Sequence, residues 1–88
     1  MVKAFNTVGA KVMADPNFGE HPATLFYSGD DAAAKKIVHQ LASDIGFEAV
    51  DAGPLANARY LEPLAMLYIH LAVRGGWGSN TAFKIMKR

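Results

Sequence analysis

Eighty-eight residues, 51% of them hydrophobic and 19% charged, make a chain that folds as one small domain rather than staying disordered. A net charge of +1 argues against a nucleic-acid binder held mainly by phosphate contacts, and the absence of cysteine excludes disulfides and thiolate zinc sites. The three histidines, at 21, 39 and 70, lack metal-ligand spacing, so no metal site is expected. A domain this short buries only a modest share of its surface, so its apolar content raises the expectation of a partner surface.

Val2–Phe5 reads as a short strand, and Asn6-Thr7-Val8-Gly9 breaks it. Ala10–Ala14 is expected as a short helix ended by Asp15-Pro16, because the residue before proline avoids the helical region. Residues 15–22, with two prolines, Asn17 and Gly19, read as a loop. Thr24–Ser28 is a second strand rich in β-formers, closed by Gly29. Asp30 is expected as the N-cap of the next helix, with Asp31 adding charge at the positive end of its dipole. Ala34, Ile37, Val38, Leu41 and Ile45 form its apolar stripe, and Gly46 stands where a left-handed cap belongs. His39 falls on the polar side and is expected to be solvated.

Phe47–Asp51 is a third strand, stopped by Ala52-Gly53-Pro54. Residues 55–74 read as one long helix, kinked at Pro63 and apolar nearly all round from Leu64 to Val73. Such a helix is expected to be buried on every face, with His70 as a buried, hydrogen-bonded histidine. Arg59 and Glu62, three residues apart, are placed to pair. Gly75-Gly76-Trp77-Gly78 ends the helix, and residues 81–87 are expected as a last short helix. Lys84, Lys87 and Arg88 read as a solvated basic turn. The longest weakly polar run, 63–73, is too short to span a membrane, and Met1–Ala4 lacks the pattern of a secretory signal. The expectation is a cytoplasmic protein with neither a membrane nor a nucleic acid as partner.

The fold class implied is α/β: a small three-stranded mixed sheet with flanking helices in a single domain spanning 1–88. Strand-helix-strand order favours a parallel second and third strand, with the first antiparallel to its neighbour. No nucleophile elbow surrounds Ser28, Ser43 or Ser79, and Asp30-Asp31 is explained by capping, so no catalytic residue is assigned.

Residues 51–59, DAGPLANAR, followed by Leu61-Glu62-Pro63-Leu64, are the most specific stretch. Together with Lys3-Ala4-Phe5-Asn6-Thr7 and Gly29-Asp30-Asp31, they resemble the NADP oxidoreductases of the coenzyme F420-dependent family. The related reductase domain of six-transmembrane metalloreductases shares that architecture. The resemblance runs from Val2 to Lys87 but implies only the C-terminal part of a Rossmann-type reductase. No G-x-G-x-x-G occurs, and the glycines at 75–78 follow a helix rather than a strand, the wrong context for that motif.

By resemblance, the turn Asn6, Thr7 and Val8 lies beside the nicotinamide and deazaflavin rings, and Met66 and Leu67 match apolar positions that pack on the deazaflavin. Asn6 stands where F420-dependent members carry histidine, which opens the alternative of a flavin partner. Asn6-Thr7 also reads as an ordinary turn, Met66 and Leu67 as ordinary packing. The intact enzyme is thus expected to use NADP with F420 or a flavin. This chain alone is expected to bind neither and to be inactive. The alternative is a stand-alone homodimeric interaction module, or a truncated protein without catalysis. The expected partner is a second copy or a separate or missing Rossmann half.

Overall fold

The computed structural model describes residues 2–6, 8–18, 21–78 and 80–87. The elements in chain order are β1 (Val2–Ala4), α1 (Ala10–Ala14), β2 (Asn17–Phe18), β3 (His21–Pro22), β4 (Thr24–Gly29), α2 (Ala32–Ile45), β5 (Glu48–Asp51), a 3-10 turn (Leu55–Asn57) and α3 (Ala58–Val73). The main sheet has the order β1-β4-β5. β1 runs antiparallel to β4, with Val2 opposite Gly29 and Ala4 opposite Tyr27. β4 and β5 are parallel, Thr24 opposite Glu48 and Tyr27 opposite Asp51. The α/β class, the mixed sheet and both strand senses agree with the pattern in the sequence.

β4 is central because it can be covered on both faces. Its alternate residues Leu25 and Tyr27 on one side, Thr24 and Ser28 on the other, are all buried. Leu25 and Tyr27 join Val8, Val12, Ala23, Ala42 and Phe47 in the core. The reversal between β4 and α2 uses both aspartates, differently from the expectation. Asp31, not Asp30, is the N-cap: its Oδ1 accepts from the N–H groups of Ala33 at 2.9 Å and Ala34 at 3.2 Å. Asp30 Oδ1 instead accepts from Leu55 N–H at 3.0 Å and pins the start of the 3-10 turn. Gly46 closes α2 at φ 116°, a conformation that disfavours any residue with a Cβ.

Several expectations are corrected by packing. Residues 15–22 hold a minimal antiparallel pairing, Asn17 with Pro22 and Phe18 with His21, rather than only a loop. Residues 81–87 form no helix. They cross the start of β4, where Phe83 C=O accepts from Thr24 N–H at 3.0 Å and Ile85 N–H donates to Thr24 Oγ1 at 3.0 Å. The donor at the first residue of β4 captures this segment more strongly than local helix propensity can hold it. Lys84, expected in a solvated turn, pairs with Glu48 at 3.0 Å. The apolar stripe of α2 is only half used: Ala42 is buried and Val38 packs on the core, but Ile37 is 70% exposed and Leu41 and Ile45 also face outward. On α3 only Leu61 and Tyr68 are buried; Met66, Leu67, Ile69 and Val73 are exposed. The expectation of burial on all faces therefore fails within this chain, and His70 is exposed rather than buried.

Among the described residues, no helix is long and apolar enough to cross a membrane.

Candidate functional site

β1 ends in a strained turn. Phe5 has φ 63°, the left-handed region that a bulky L-residue rarely adopts. Its ring is held edge-on against Phe47, with centroids 6.2 Å apart and planes at 77°. This bend carries Asn6 to the first turns of α3, where its Nδ2 donates to Leu61 C=O at 3.1 Å. Its Oδ1 is buried with no hydrogen-bond partner among the described residues, an uncompensated polar atom of the kind functional sites retain. Earlier on β1, Lys3 Nζ reaches Glu62 Oε1 at 3.0 Å. Glu62 thus pairs with Lys3. Arg59, its expected partner, instead donates to Tyr60 Oη at 2.9 Å and lies over that ring.

These two ties leave an open groove of about 610 Å³ between β1 and α3, lined by Lys3, Asn6, Glu62, Pro63, Ala65 and Met66. Of the residues that the resemblance selects, Asn6 and Met66 meet here across 60 positions of sequence. Val8 is drawn instead into the core beside Val12 and Leu25. Leu67 is 48% exposed and does not line the groove. Thr7 lies outside the described residues. Lys3, Pro63 and Ala65 are not among the site residues that the resemblance implies. Lys3 and Pro63 do stand within the specific stretches, but nothing local announces a pairing across 59 positions.

A ring-sized ligand fits this groove in character: Pro63, Ala65 and Met66 offer apolar contact, and Asn6 and the Lys3–Glu62 pair offer a polar rim. A dinucleotide pyrophosphate finds no matching cradle at the glycine-rich turn. There the N–H groups of Gly75, Trp77 and Gly78 donate back to the carbonyls of His70, Leu71 and Ala72. They close α3 and are not free to bind an anion.

A second polar cluster lies at the C-terminal end of β5. Lys35 Nζ bonds Asp51 Oδ1 at 2.8 Å and Gly53 C=O at 3.2 Å, so it joins α2 to the end of the sheet. Tyr27 Oη and His39 Nδ1 are 2.9 Å apart, so His39 is engaged rather than merely solvated. Burial, followed by the Asp51 charge, raises the Tyr27 pKa against the opposing effect of Lys35. Asp51 is held below its ordinary range, first by the Lys35 hydrogen bond and next by the Gly53 N–H. Glu48 is lowered likewise, first by Lys84 and then by Thr24. Among the described residues no group of histidines and carboxylates could hold a metal.

The two depressed carboxylates set an acid limit. A folded pKa below the unfolded value contributes stability above the unfolded pKa, about 4 for carboxylates, and that stability is lost as pH falls through the folded pKa. Denaturant midpoints are therefore expected to decline on acidification below about pH 5. The decline is expected to flatten in the Lys35→Met and Lys84→Met variants. An unchanged slope in both would remove these pairs as its cause.

No protein-family model matches the sequence. The chain is 38% identical to, and superposes with a TM-score of 0.84 on, a crystal structure from Arthrobacter sp. FB24 provisionally assigned as an F420-dependent NADP reductase. That match covers 98% of this chain and 39% of the other. The chain is also 39% identical over 70 residues to the rat metalloreductase STEAP3, a match covering 76% of this chain and 14% of the relative. It therefore spans well under half the length of either protein.

Proposed function

We propose that this chain, which belongs with the F420-dependent NADP reductases, builds the wall of a cofactor cleft that faces the reacting rings, and that dinucleotide binding is supplied by a separate stretch of polypeptide. The observation that carries this reading is the meeting of Asn6 and Met66 in one groove, with Pro63 and Ala65 as apolar lining. The ring bound there is a deazaflavin or a flavin, and it supplies the hydride chemistry when present. The residues of this chain bind and orient it. Met66 and Pro63 contact its face. Asn6, tied to Leu61, fixes the turn without titrating, so it neither gives nor takes a proton at neutral pH. Alone, the chain catalyses no NADPH oxidation, because the amides of Gly75, Trp77 and Gly78 in its glycine-rich turn are spent on closing α3 and leave the pyrophosphate without a cradle.

The sequence alone leads to the expectation that the isolated chain binds no cofactor; with half of the cleft present, titration of isotope-labelled chain with flavin mononucleotide at millimolar concentration is expected to shift the amide resonances of Asn6, Ala65 and Met66 first. NADPH by itself is expected to bind no tighter than micromolar. Met66→Ala, at a side chain 65% exposed, is expected to weaken the flavin several-fold while leaving the unfolding midpoint in place. Flavin shifts that bypass Asn6 and Met66, or tight NADPH binding, overturn the reading.

A further inference from the structure

We propose that Phe83 is a positioning residue for the candidate cofactor groove, holding through Tyr68 the wall that α3 presents to the ring. This role rests on the cleft reading, since the groove concerned is the one proposed to take the ring. α3 is not seated by the main core. Its buried residues are Leu61 and Tyr68, and neither belongs to the cluster that packs β4 against α1 and α2. These two anchors are seven residues apart, about two turns of helix. The groove residues of α3, Glu62, Pro63, Ala65 and Met66, all fall between them. Each anchor meets the turn after β1. Leu61 C=O accepts from Asn6 Nδ2 at 3.1 Å, and Tyr68 Oη lies so close to Gly9 that a Cβ there would stand 2.6 Å away. Pro63, inside the span, has no N–H to donate to the preceding turn, so helical hydrogen bonding alone holds this wall less firmly.

Tyr68 needs backing, and Phe83 supplies it. A largely apolar cavity of about 190 Å³ adjoins Tyr68, lined also by Leu71, Trp77, Thr81, Ala82 and Phe83. Phe83 limits movement of Tyr68 into that space: the two rings meet edge-on, with centroids 5.9 Å apart and planes at 74°. Phe83 is itself fixed on the sheet. Its C=O accepts from Thr24 N–H at 3.0 Å, and two residues on, Ile85 N–H donates to Thr24 Oγ1 at 3.0 Å. Lys84 between them pairs with Glu48 at 3.0 Å, and Ala82 packs on the core. The position of the first residue of β4 is thus passed through Phe83 and Tyr68 to a groove that Phe83 does not line. With Phe83 truncated, the cavity grows, Tyr68 leaves Gly9, and the α3 wall is held at Leu61 alone.

Nuclear Overhauser contacts and flavin titrations of the isotope-labelled full chain test this. Wild type is expected to show a contact between the Tyr68 ring and the Gly9 α-protons, and millimolar flavin mononucleotide to shift Asn6 and Met66. Phe83→Ala is expected to lose the contact and to weaken the flavin at least threefold. Phe83→Tyr, which keeps the ring, is expected to retain both. Phe83→Leu is a milder truncation should alanine unfold the chain, and is expected to fall between. Ala42→Gly loosens α2 within the core that excludes α3, and is expected to leave the flavin affinity unchanged. A Tyr68–Gly9 contact that survives in both Phe83→Ala and Phe83→Leu overturns the proposal. So does an unchanged flavin affinity where the contact is lost, or equal weakening by Ala42→Gly. Flavin shifts that bypass Asn6 and Met66 in the wild type overturn the cleft reading, whereas the Tyr68–Gly9 contact needs no ligand, so the two failures are distinguishable.

Discussion

Leu25→Ala is expected to lower the melting temperature by roughly 10–20 °C. Leu25 sits in the middle of the central strand with no exposed surface, packed with Val12, Tyr27 and Ala42. Removing three buried carbons costs their transfer free energy plus the cavity left behind, about 2–5 kcal/mol. A domain of this size has only about 5–10 kcal/mol in total, so the variant populates the unfolded state measurably at physiological temperature. Ile37→Ala provides the contrast. Isoleucine is as apolar as leucine, but this one is 70% exposed and its loss is expected to cost under about 0.5 kcal/mol. Thermal melts of the two variants read the difference directly. Equal shifts would mean that α2 is seated differently on the sheet.

Gly9→Ala is expected to cost about 1–3 kcal/mol through overpacking, and Tyr68→Phe is expected to restore much of it. A Cβ at Gly9 would lie 2.6 Å from Tyr68 Oη and 3.3 and 3.4 Å from two ring carbons. The Gly9 backbone is outside the left-handed region, so the cost arises from space and not from its dihedral angles. Tyr68 cannot retreat freely: it is buried and stacked edge-on against Phe83 at 5.9 Å. The clash pushes α3 away from the turn that follows β1, so the same variant widens the groove beside Asn6. A double-mutant cycle on denaturant midpoints measures the coupling. Purely additive costs for Gly9→Ala and Tyr68→Phe would show that the glycine is not needed for this close approach.

Part of the candidate site is legible in the sequence. Resemblance singles out Asn6 and Met66, and the groove contains both. It singles out Val8 and Leu67 on the same footing, and they diverge for a geometric reason. One residue along the chain changes the direction of a side chain by about 100° in a helix and more in an extended segment. Leu67, one position past Met66, therefore stays off the groove, whereas Val8, two positions past Asn6 and beyond the left-handed bend at Phe5, is drawn into the core. The Arg59–Glu62 pair does not form, for a related reason. Helical spacing permits the contact, but Lys3 brings a competing cation to Glu62 from another element.

Features written in local chemistry follow from the amino-acid order. β-formers bounded by glycine place the strands. Aspartates ahead of α2 and Gly46 behind it set its limits, and strand-helix-strand order favours the parallel pair β4 and β5. Packing settles the rest: which apolar faces are covered, and which distant polar groups meet. Periodicity shows that Ile37, Leu41 and Ile45, or Met66, Ile69 and Val73, share a face; it carries no information about what lies opposite. The same limit holds for Thr24 with residues 83 and 85, for Lys3 with Glu62 and for Asn6 with Leu61. Each joins groups 55 or more positions apart, and such contacts form only after the sheet has brought their elements together.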